Sequence, residues 1–120
     1  MNQFGQAGEK FAAEYLERNG LRVLQRNWRG IEGEIDIIAI EETPQGNELV
    51  FCEVKSRHDT RWGYPVEAVN GQKQRRLRRA AGEYLSSVKE SVGVSEIRFD
   101  VIEVIVKDGM AELDHLRDAF

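Results

Sequence analysis

The chain has 120 residues, 41% hydrophobic and 32% charged, which fits one soluble domain spanning 1–120 and leaves little room for two. No apolar run approaches a bilayer-crossing length, no signal-peptide pattern opens the sequence, and the single Cys52 excludes an internal disulfide, so a cytoplasmic protein with no membrane partner is expected. The net charge of -4 speaks against a nucleic-acid partner, but residues 57–79 hold seven basic and two acidic groups, net +5, on an otherwise acidic chain.

Residues 4–19 read as an amphipathic helix that Gly20 stops. Phe4, Gly8, Phe11, Ala12, Tyr15 and Leu16 form its apolar stripe, and Lys10, Glu14 and Glu17 lie opposite. Glu9 falls about 20° from Leu16, at the margin of the buried side. Leu21 to Arg29 follows as a short strand, and its many polar positions place it at an edge or half exposed.

The centre of the chain is a pair of apolar runs, Gly33–Ala39 and Leu49–Arg57, read as antiparallel strands joined by a turn over Glu41–Glu48. Alternation puts Glu34 and Asp36 on one face and Ile35 and Ile37 on the other; it likewise pairs Glu53 with Lys55, opposite Cys52 and Val54. With strands about 4.8 Å apart, Asp36 and Glu53 can reach one ion. Carboxylates and a lysine within apolar strands are costly to bury unless they pair or bind a cation.

Ser56 to Pro65 is polar, aromatic and loop-like. Trp62 and Tyr64, beside Arg57 and Arg61, either stack on bases or pin the loop to the core. Residues 71–88 read as a second helix capped by Asn70, with Leu77, Ala80, Ala81, Tyr84, Leu85 and Val88 on its apolar stripe. Lys73 lies on that stripe one turn earlier and therefore points toward the sheet. Arg75, Arg76, Arg78 and Arg79 cover the rest of the surface, either as solvated charges or as phosphate contacts. A loop over Ser86–Ser95, a strand over Ile97–Val106 interrupted by Asp100, a turn at Lys107-Asp108-Gly109 and a last strand over Ala111–Leu116 complete the pattern, with His115 expected exposed at a frayed end.

The order Glu9 on a helix, Asp36, Glu53-Val54-Lys55, then a basic helix resembles the restriction-endonuclease-like nucleases. Within them the chain is similar to the bacterial YraN-type family of predicted endonucleases and to the archaeal Holliday-junction resolvases. The closer match rests on Gly8-Glu9, Asn27-Trp28-Arg29, Gly33-Glu34-Ile35-Asp36, Phe51 to Arg57, Val69 with Lys73, and Arg98-Phe99-Asp100-Val101. The resemblance implies an α/β fold, a mixed β-sheet flanked by helices, with Asp36 and Glu53 as metal ligands and Lys55 beside them. It also implies a homodimer, since the resolvases are dimeric and junction cleavage needs two active sites.

Magnesium or manganese suits such oxygen donors, and Asp36, Glu53 and the Val54 carbonyl form a reasonable set, with Glu9 or Glu34 in a first or second shell. Lys55 then positions or deprotonates the attacking water, or offsets the charge of the transition state, and Lys73 adds a phosphate contact. The expected activity is metal-dependent hydrolysis of phosphodiester bonds in DNA, on branched or structured substrates, with Arg57, Arg61, Arg75, Arg76 and Arg79 as nucleic-acid contacts. The alternative is a non-catalytic nucleic-acid-binding module of a DNA-processing complex, and a third reading is a protein-interaction domain.

Overall fold

The computed structural model describes residues 3–58, 70–88 and 93–120. Arg61, Trp62, Tyr64 and Val69 lie outside them. The element order is α1 (Gln3–Arg18), β1 (Arg22–Arg29), β2 (Glu34–Thr43), β3 (Gly46–Arg57), α2 (Gly71–Ser87), β4 (Val94–Lys107) and β5 (Met110–Leu116). The five strands form one sheet in the order β1-β2-β3-β4-β5. All neighbours are antiparallel except β3 and β4, which are parallel. A parallel pair needs a crossover rather than a hairpin, and α2 lies within it. The result is the expected α/β class, a mixed sheet with two helices, consistent with restriction-endonuclease-like architecture.

Each face of the sheet has its own core. On one, Ala12, Ala13 and Leu16 of α1 pack over Ile37, Ala39, Val50, Cys52, Ile102 and Val104. On the other, Leu77, Ala80 and Ala81 of α2 pack over Ile35, Ile38, Ile40, Leu49, Phe51 and Phe99. The central strands β2, β3 and β4 are therefore apolar on both sides, which is why they read as near-continuous hydrophobic runs. Cys52 is fully buried, as a small hydrophobe should be.

Strict alternation fails within β2. Ile35 packs under α2 but Ile37 packs under α1, although two residues apart they were expected to share a face. The paired register of β2 with β3 begins only at Ile37↔Cys52, so the strands part at Asp36. The parting turns the chain between residues 35 and 37 and opens a fork at this end of the sheet.

The hairpin is tighter than its polar residues imply: β2 and β3 pair out to Thr43↔Gly46, leaving Pro44 and Gln45 as the turn. Gly46 there has φ +124°, open to glycine and strained for other residues. Glu41 faces Glu48 across this hairpin, a repulsive pairing that Arg98 relieves by donating to both, at 2.8 and 2.7 Å. His115 is also not the exposed residue expected. Its side chain is only 5% accessible, with Nε2 2.7 Å from Asp100 and Nδ1 3.1 Å from the Tyr15 hydroxyl. Both partners are distant in sequence, so nothing local to β5 marks it as buried.

Candidate active site

The fork gathers the residues the spacing singles out. Asp36 bridges it: its Oδ2 accepts from the Val54 N–H at 2.8 Å, a side chain in place of a missing ladder bond. In a strand the N–H and C=O of one residue leave on the same side, so the Val54 carbonyl also faces the fork. Glu53 is buried, and its Oε1 lies 3.0 Å from Lys73 Nζ and 3.5 Å from Lys55 Nζ. Lys55 follows from alternation along β3, and Lys73 from the first turn of α2. That turn is fixed by the Asn70 side chain, which accepts from the Lys73 N–H at 2.9 Å. A cleft of about 380 Å³ opens over this group, lined by Gly33, Glu34, Asp36, Glu53, Lys73, Arg76 and Leu77.

Electrostatics make the fork an unsettled place. Burial pushes the Asp36 carboxyl up to about 7, helped by the Glu53 charge and resisted by the Val54 N–H, with Glu9 raising it further. Asp36 and Glu53 are thus neighbouring like charges at the fork, and Asp36 costs more to ionise beside Glu53. Burial and the neighbouring Lys73 cation lower Lys55 below an ordinary lysine. Burial lowers Lys73, but its contact with Lys55 and its bond of 3.0 Å to Glu53 outweigh this and raise it above an ordinary lysine.

Glu9 reaches the site from the other face of the sheet and is only 4% exposed. Gly8 makes that approach feasible: a Cβ on it would collide with the Ser56 side chain on β3. With its amide oriented as the hydrogen bonding requires, Asn27 places its side-chain nitrogen 2.8 Å from both Glu9 oxygens. Asn27 holds a left-handed φ of 54°, a conformation that asparagine tolerates better than most residues. Burial raises the Glu9 carboxyl, Arg26 opposes this, and Glu34 and Glu53 add to it, so Glu9 feels the same field as the fork. The sequence marks Glu9 as borderline, but nothing in its spacing points to Asn27 as the holder.

The remaining predicted residues divide. Glu34 lines the cleft but is exposed and paired with Arg29 at 2.7 Å. Arg76 forms part of the cleft wall, and Arg75 and Arg79 are exposed on α2, Arg79 beside Glu32 at 3.5 Å. Arg78 instead stacks its guanidinium 4.8 Å from the Phe99 ring. Arg57 pairs with Glu103 at 3.0 Å. Glu103, 2% exposed and level with Lys55 on the adjoining strand, is a buried acid that the long apolar run of β4 conceals.

The donor set fits a hard divalent cation. Asp36, Glu53 and the Val54 carbonyl all offer oxygen, and the Glu53 charge that raises the Asp36 carboxyl is a repulsion that a cation between them would relieve. Among the described residues no three carboxylate, imidazole or thiol groups converge, so a metal here would complete its shell with the carbonyl, water and substrate.

Residues 8–104 match the model of the Uncharacterised protein family UPF0102. The chain belongs to that family. A UPF0102 protein of Bifidobacterium longum is 41% identical over 98% of this chain and 93% of its own. One from Rhodococcus opacus is 44% identical over 97% and 94%, and one from Bacteroides thetaiotaomicron 43% over 99% and 93%. The UPF0102 match begins at Gly8, which lets α1 approach the sheet, and spans every residue of the fork. Among the described residues of this UPF0102 chain, no helix is long and apolar enough to cross a membrane.

Proposed function

We propose that this UPF0102 protein is a metal-dependent DNA endonuclease of the restriction-endonuclease-like superfamily, hydrolysing phosphodiester bonds in branched or structured DNA. One observation carries the reading: the half-buried Asp36 and the buried Glu53 lie together at a fork flanked by Lys55 and Lys73 and opening into a cleft. Such groups oppose folding when left without a cation, and a phosphodiesterase needs them.

Asp36, Glu53 and the Val54 carbonyl would hold Mg2+ or Mn2+. When bound, the ion supplies an activated water and relief of charge on the scissile phosphate. Lys55, whose pKa burial lowers, orients the attacking water or takes its proton. Lys73 and Arg76 reach a phosphate in the cleft, and the capped N-terminus of α2 adds its dipole there. Arg75 and Arg79 extend the cationic surface along α2, where flanking phosphates would lie. Glu9, held by Asn27, adds to the field that disfavours an unpaired Asp36 anion until a cation arrives.

The test is cleavage of a four-way DNA junction with Mg2+ or Mn2+. Asp36→Asn and Lys55→Ala should each slow cutting by about 10²–10³-fold with the fold intact by circular dichroism. Equal rates for both variants and the parent would place the chemistry elsewhere. DNA binding that survives Asp36→Asn, with no cutting by the parent, would favour the non-catalytic binding module.

A further inference from the structure

The turn between β1 and β2 holds the most exposed large apolar residue described. Ile31 is 95% accessible, against 72% for the next, Met110. A lone surface isoleucine is ordinary; one presented by a rigidly pinned turn is not. The Gly30 N–H donates to the Gly33 carbonyl at 2.9 Å and closes the turn. Glu83 of α2 then accepts from the N–H of Ile31 at 2.7 Å and of Glu32 at 2.9 Å. These two bonds hold the exposed Glu83 carboxyl below its ordinary range. Gly30 is wedged between Glu83 and Trp28, where a Cβ would lie 2.6 Å from each. The backbone on both sides of Ile31 is thus fixed to α2 while its side chain stands in water.

The position of this tip is as informative as its rigidity. Gly33 lines the catalytic cleft and is two residues away, so Ile31 stands within about 7 Å of chain from its rim. Arg29 and Arg79 flank the turn with side chains 74% and 60% exposed, and Arg76 lies against Gly33. An apolar point among arginines, next to a phosphodiester-sized cleft, matches how proteins wedge aliphatic side chains into an opened base step while cations hold the backbone.

We propose that Ile31 is a wedge that enters an unstacked base step of branched DNA and so selects that substrate over continuous duplex. This rests on the nuclease reading and deepens it. A branch point already has interrupted stacking, so insertion there avoids the unstacking cost that a continuous duplex imposes. Arg29 and Arg79, freed from Glu34 and Glu32 by competing phosphates, would hold the strands on either side.

The experiment measures binding, with Ca2+ in place of Mg2+ so that readout does not depend on cutting. A four-way junction and a linear duplex of the same sequence carry 2-aminopurine at the branch and at the matching step. The parent should prefer the junction and change the probe's fluorescence only there. Ile31→Ser should lose about ten-fold of the junction preference, the scale of burying one aliphatic side chain, leave duplex affinity nearly unchanged and abolish the fluorescence change. Ile31→Phe should retain both. Equal preference in Ile31→Ser and parent overturns the wedge and leaves the nuclease reading standing. Failure of the parent to bind either DNA overturns both. A change of sedimentation mass on Ile31→Ser identifies the tip as a contact between copies and also overturns the wedge.

Discussion

Two carboxylate clusters lie in the same sheet, and they are built to opposite rules. At the hairpin-side cluster, Asp100 is fully buried yet receives Arg98 through two bonds of 2.8 and 2.9 Å, His115 at 2.7 Å and the Asp118 N–H at 3.0 Å. Burial alone would raise its pKa; the bonds from His115, Arg98 and Asp118 outweigh it and hold the carboxyl below its usual range. Glu41, caught between Arg98 and Arg117, is likewise held low despite its burial. At the fork, Asp36 has one backbone N–H, a second carboxyl and no arginine bond among the described residues, and its pKa rises to about 7. One cluster is complete and serves the fold. The other gives Asp36 no cationic partner of its own among the described residues, and that asymmetry is what makes Asp36 the candidate functional acid.

Breaking the complete cluster should have the larger effect on stability. Arg98→Ala leaves Glu41 with Arg117 and Asp100 with His115 as their remaining partners, removes the cation that joins them to Glu48, and should cost about 3–5 kcal/mol in urea unfolding. Because the fork shares none of these partners, metal affinity of the folded variant should stay within about two-fold of the parent.

Removing the fork's acid should act with the opposite sign. An acid whose folded pKa exceeds its unfolded value keeps a proton that the unfolded chain has lost. Asp36 therefore subtracts stability as pH rises from about 4 to about 7, and no more above that. In metal-free buffer above neutrality, Asp36→Asn should stabilise the protein by on the order of 2–4 kcal/mol and flatten this slope. Asp100 behaves inversely: its contribution is present above the unfolded pKa and is lost in acid as its lowered pKa is approached. Thermal unfolding across pH, with and without chelator, separates the two clusters in one series.

The comparison also explains what could be read from the chain alone. The strands were legible because double-sided burial leaves long apolar runs, and a charge within such a run stands out at once. Glu53, Lys55 and Lys73 follow from regular spacing on one strand and one helix turn. The break in alternation at Asp36 was not legible, because it arises where two strands part, and local sequence does not encode parting. Tertiary partners were equally hidden: His115 meets Tyr15 at 100 residues' separation, and Glu83 pins a turn 52 residues away. Asn27 read as an ordinary edge-strand polar residue because its left-handed backbone and its contact with Glu9 are properties of the assembled sheet.

A cation held at the fork would depend on Asp36. Isothermal calorimetry of Mn2+ with the parent and Asp36→Asn, with junction DNA present in both cells, tests it most directly. Saturable binding is expected in the parent, weakening as pH falls below about 7, where Asp36 keeps its proton, and lost in the variant. Equal binding heats in parent and variant, or none in the parent, would contradict it.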